Sequence, residues 1–125
     1  MFLSAVFNTQ SLTIDLTTVP IVDPIEVKKE LWVDKQGLQS LASSTAKKYG
    51  LNAKRFLKTI ECESGWDRHA RGDYKNGEPT SFGLVQIHNP VKDWDMTIEQ
   101  ADDPEIAIET MALKWSVGEA WRWTC

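Results

Sequence analysis

The chain has 125 residues, 42% of them hydrophobic and 26% charged, enough for one folded domain with a real core. A net charge of −4 and a pI near 5.1 argue against nucleic acid as the main partner, which calls for a basic patch. No run of about 20 apolar residues is present, so no membrane span is expected.

Residues 1–34 read as a leader or linker without a fixed element. Leu12, Ile14 and Leu16 alternate with polar residues in a faint strand pattern, and Pro20 and Pro24 then interrupt any regular structure. Val27–Val33 fits a short amphipathic turn or an extended segment. The first basic residue is Lys28, so the start lacks the positive region of a secretory signal.

The folded domain is expected over residues 35–125. Asp34–Tyr49 reads as its first helix, with Leu38, Leu41, Ala42 and Ala46 near helical spacing and Gly50 closing it. Asn52 is a good N-cap for a second helix, with Leu51 placed for a hydrophobic staple. Asp67–Thr80 is a polar loop whose Asn76-Gly77 pair signals a type I′ turn. It predicts a small β-hairpin or a long loop standing over the end of the second helix. Phe82–His88 is a short apolar run read as a buried helical turn, ended by Pro90, and Val91–Ala101 is a connection containing Trp94. Asp103-Pro104-Glu105 starts a last helix: an N-cap, proline in the first turn and an acid beside the helix dipole. It runs to about Val117, with Ile108, Met111, Ala112 and Trp115 inward and Gly118 at its end.

The second helix carries the candidate chemistry. At about 100° per residue, Ala53, Phe56, Leu57 and Ile60 share one face, which Glu63 and Ser64 continue. Lys54, Arg55 and Lys58 form the opposite face, and Glu61 falls on the flank, most simply solvated near Lys58. Gly65 stops the helix, leaving Glu63 in its last turn. An ionised carboxylate on an apolar stripe is costly without a partner or a raised pKa.

The two cysteines are Cys62 and Cys125. Cys62 sits among the basic residues of the wheel, an odd place for a buried thiol. A disulfide pinning the tail to the back of the Glu63 helix would account for both and imply an oxidising compartment; two free thiols are the alternative. With His69 and His88 the cysteines show no zinc-ligand spacing, so no metal is expected.

Glu63-Ser64-Gly65-Trp66, then Ser81-Phe82-Gly83-Leu84-Val85-Gln86-Ile87, then a helix ending Trp115-Ser116-Val117-Gly118, resembles the soluble lytic transglycosylases and the related short lysozyme-like domains of bacteria and phages. The resemblance covers about residues 38–125. It implies a mainly α, lysozyme-like fold with Glu63 as catalytic acid, and Gly83, Leu84, Gln86 and Ile87 lining a saccharide groove. The substrate it implies is the glycan strand of peptidoglycan, cut at the β-1,4 bond between N-acetylmuramic acid and N-acetylglucosamine. It also implies no cofactor, a monomer, and a place in the cell envelope or outside the cell (periplasmic, secreted or virion-associated). The late-helix Tyr-Asn-Ala-Gly-like signature is replaced here by Trp115-Ser116-Val117-Gly118, which leaves open an anhydro or a hydrolysed product.

The chemistry needs a proton for the leaving oxygen near neutral pH, so the donor carboxyl needs a raised pKa. Asp73 is the best candidate for a second carboxylate and Glu78 the runner-up. Ser81 serves the groove or only caps a turn; Gln86 binds sugar or satisfies a buried backbone group; Tyr74 is a groove wall or an exposed loop residue. Among six tryptophans, Trp66 and Trp94 are the groove candidates, while Trp115 and Trp121, at helical spacing, go to the core. His88 is a solvated loop residue or a sugar contact. A non-catalytic saccharide-binding or virion-structural module of the same fold is the rival reading, and a small disulfide-stapled helical interaction protein is the third.

Overall fold

A computed structural model describes residues 34–125. The leader or linker reading, the alternation at Leu12–Leu16 and the Val27–Val33 segment lie outside the described residues.

Helix α1, Lys35–Lys48, starts where the Asp34 carboxylate accepts from the Gly37 amide at 2.8 Å. Helix α2, Ala53–Ser64, starts where the Asn52 side chain accepts from the Arg55 amide at 3.0 Å. Each cap satisfies an amide that the helix cannot, typically worth about 1 kcal/mol. α2 ends at Gly65, left-handed at φ 61°, whose amide donates to Glu61. The apolar stripes close on each other: Leu38, Ala42 and Ala46 of α1 and Phe56 and Ile60 of α2 are all buried in one core. Burying such a large apolar side chain contributes about 1.5–3 kcal/mol over leaving it exposed.

The loop after α2 leads into a three-stranded antiparallel sheet of two-residue strands: β1 Arg71–Gly72, β2 Ser81–Phe82 and β3 Ile87–His88. The expected Asn76-Gly77 turn is present between β1 and β2, closed by a Lys75–Glu78 bridge, with both turn residues at positive φ (55° and 83°). The helical turn expected at Phe82–His88 is instead a β-hairpin, with Phe82 opposite Ile87 and Ser81 opposite His88. Its tight link turns at Gly83 (φ 84°) and Gln86 (φ 52°), where the Gln86 amide donates to the Gly83 carbonyl at 3.1 Å. So few residues per strand leave an apolar run without a period, and strand and helix then look alike in sequence.

The connection expected at Val91–Ala101 is also corrected. It contains two short helices, α3 Pro90–Asp93 and α4 Ile98–Asp102, the second opened by a Thr97–Gln100 capping box. Helix α5, Pro104–Ser116, begins as expected on the Asp103 carboxylate and buries Ile108, Met111 and Ala112, with Trp115 half-buried edge-on to Phe56. α5 packs on α1 and α4, and a 3₁₀ turn, Ala120–Arg122, follows.

Two contacts fix the sheet to the helices. Arg71 makes a two-pronged ion pair with Asp102 at the end of α4, both bonds 2.8 Å. Gly83 lies so close to α4 that a Cβ there would stand 2.0 Å from the Ala101 carbonyl oxygen. The tail is tied back as well. Cys62 and Cys125 form a disulfide with Cα atoms 5.7 Å apart, and the buried Trp123 indole donates to the Val85 carbonyl at 2.8 Å. No helix among the described residues is long and apolar enough to cross a membrane.

Candidate active site

Glu63 sits in the last turn of α2, half-buried, on the edge of the core stripe. Burial pushes its carboxyl above the ordinary glutamate range, and the charge of Asp73 pushes the same way. A backbone hydrogen bond from Cys125 opposes both. The disulfide therefore brings the last residue of the chain onto the candidate acid. Glu61 points elsewhere, accepting from the Trp66 indole at 3.0 Å and pairing with Lys35 at 3.4 Å rather than with Lys58.

Asp73 follows β1 in the left-handed region at φ 49° and is solvent-exposed. Its carboxylate accepts from the Ser81 hydroxyl of β2. His88 of β3 stands directly across the ladder from Ser81, with Nδ1 3.1 Å from Ser81 Oγ and 3.8 Å from the Asp73 carboxylate. Because the single hydroxyl proton of Ser81 goes to Asp73, His88 is the donor in its contact with Ser81. The chain His88–Ser81–Asp73 is thus built by strand register. It is not a nucleophilic triad: Ser81 is 1% exposed and its proton is committed to the carboxylate. Opposite faces of the same strands differ in role, since Phe82 and Ile87 enter the core while Ser81 and His88 share the other face.

The remaining sequence candidates separate. Leu84 is a core residue at 0% exposure and Gly83 is pressed on α4, so neither presents a side chain to a ligand, whereas Ile87, 1% exposed, belongs to the lining of a cleft shared with Trp94, Trp121 and Trp123. Gln86 is half-buried, and its amide donates to the Gly83 carbonyl at 2.9 Å and the Ala70 carbonyl at 3.2 Å. It satisfies backbone groups, and its Oε1 occupies the space over Gly72 that a Cβ would take. Trp66 is in the core with its indole N–H on Glu61, so the groove role read for it is corrected. Tyr74 is 64% exposed and shares a cleft with Asp73, Thr80, His88 and Lys92. Glu78 is exposed at the hairpin tip and is not in that cleft.

Trp121 is the largest departure from the sequence reading. It was expected in the core with Trp115, yet it is 67% exposed and lines a second cleft with Trp94 and Trp123. The helix that would have placed it inward ends at Ser116, and Gly118 at φ 84° redirects the chain. The alternation Trp121-Arg122-Trp123 was the available signal: in a chain no longer α-helical, residues two apart need not share the fate that an α-wheel assigns them.

No protein-family model, curated protein or solved structure matches this chain.

Proposed function

We propose that residues 35–125 form a lysozyme-like domain that cleaves peptidoglycan glycan strands at the β-1,4 bond between N-acetylmuramic acid and N-acetylglucosamine. The observation that carries the reading is Glu63: a half-buried carboxyl at a helix end whose acid form is favoured by desolvation and by a neighbouring carboxylate. In the acid form it gives its proton to the bridging oxygen as the bond to C1 breaks. The oxocarbenium-like centre left behind is captured in one of two ways. Water adds to C1 and passes its proton to Asp73, whose carboxylate is oriented by Ser81. Alternatively the 6-hydroxyl of muramic acid adds and its proton returns to Glu63, giving an anhydro sugar. No cofactor takes part in either route, and the domain acts as a monomer. The Cys62–Cys125 bridge suits an oxidising compartment, such as the cell envelope or the exterior.

The rival reading, a saccharide-binding module without catalysis, draws support from Trp115-Ser116-Val117-Gly118 in place of the transglycosylase signature. Purified peptidoglycan separates the two. Incubated with the protein, it is expected to release glycan fragments whose mass gives the product class, since anhydro and reducing ends differ by one water. Protein that sediments with intact walls and releases no fragments contradicts cleavage and leaves the binder.

A further inference from the structure

The tail residues Trp121, Arg122 and Trp123 line a cleft that does not include Glu63 or Asp73. Trp94, Trp121 and Trp123 line it, and His88 and Asp93 contribute polar groups, around a volume of about 260 Å³. That is below the range of about 300–1,000 Å³ for drug-sized ligands and suits a single small ring. The aromatic wall is held in place before any ligand arrives. The Arg122 guanidinium lies 4.9 Å from the Trp121 ring centre and 5.4 Å from that of Trp94. Arg122 is fixed in turn by Glu119, and Trp123 by its bond to the Val85 carbonyl. Groups already ordered lose little entropy on binding.

The cleft's chemistry is amphipathic in the way a pyranose is: tryptophan rings lie beside the hydroxyl-bonding groups of His88 and Asp93. Glu119 pairs with Arg122 and also stands 3.9 Å from Lys114, and Asp93 in the lining adds a second carboxylate to these two cations, so a neutral ring is favoured over an anion. His88 lines this cleft and also the one holding Asp73 and Tyr74. A strand passing His88 would therefore occupy both.

We propose that this cleft is a subsite for one neutral hexopyranose ring of the glycan strand, stacked on Trp121, along the strand from the ring at Glu63 and Asp73. The proposal rests on the reading of the site as glycan-cleaving. Its test uses the full chain carrying Glu63→Gln and a β-1,4-linked N-acetylglucosamine tetramer, followed by isothermal titration calorimetry. Adding Trp121→Ala is expected to weaken binding roughly tenfold or more, the range for a truncated tryptophan anchor. Trp121→Phe is expected to recover much of the loss, because a smaller flat ring still stacks. Equal affinity with and without Trp121→Ala overturns the subsite, as does a parent protein that does not bind the tetramer or a Phe variant no better than Ala. Wall digestion by the unmutated chain is scored separately. Trp121-dependent binding without digestion sinks only cleavage, and digestion with Trp121-independent binding sinks only the subsite.

Discussion

Glu63→Gln is expected to lower the rate of wall digestion by roughly 10²–10⁴-fold, the range for loss of a general acid, while the protein stays folded. Glutamine keeps the shape and can still accept the Cys125 backbone hydrogen bond, so what is lost is the proton. The pH dependence has a definite sign. Glu63 works in its acid form, so activity falls as pH rises through its raised pKa. Asp73→Asn removes the like charge, which lowers the Glu63 pKa and moves that fall to lower pH. Stability carries the matching sign. A carboxyl whose folded pKa lies above its unfolded value stabilises the fold fully below the unfolded pKa and loses that contribution as pH rises through the folded one. Above its folded pKa the ionised, half-buried Glu63 therefore costs stability, and Glu63→Gln is expected to raise the melting temperature there. A variant that digests walls at the unmutated rate would remove Glu63 from the chemistry.

Cys125→Ser is expected to produce the largest loss of stability. The bridge closes a sequence separation of 63 residues, for which the chain-entropy view gives about 4 kcal/mol. The tail it releases carries Trp121 and Trp123 of the second cleft and the backbone group on Glu63. Thermal unfolding of the oxidised protein, the reduced protein and Cys125→Ser should place the last two together, well below the first. An unchanged melting temperature would mean that Trp123 and its bond to Val85 hold the tail without the bridge.

The parts of this fold that were legible in the sequence are those where local chemistry and packing agree. Asp34, Asn52 and Asp103 cap helices whose apolar spacing points the same way, and each accepts the amide its position predicts. Asn76-Gly77 needs no tertiary information, because a two-residue turn with both φ positive selects that pair. The position of Cys62 among basic residues suggested its bond to Cys125 for the same reason: a thiol there has little else to do. The hairpin at Ser81–His88 was not legible, because its strands are too short to show alternation and their pairing depends on β1, ten residues upstream of β2. The resemblance makes Leu84 a groove residue, whereas it is buried in the turn between β2 and β3, and Ile87 is buried on the face of β3 that Phe82 shares. The partnership of Asp73, Ser81 and His88 is likewise a product of register, which no spacing along the chain announces. Trp121 lies inward only on a helical wheel extended past Ser116, and the helix stops there.

Cleavage by Glu63 requires a proton that stays on it when exposed glutamates have lost theirs. The most direct test is a ¹³C NMR titration of the Glu63 side-chain carboxyl in the oxidised protein. The midpoint is expected above the ordinary glutamate value of 4.5. A midpoint at or below that value would leave no proton donor at the site and contradict the account.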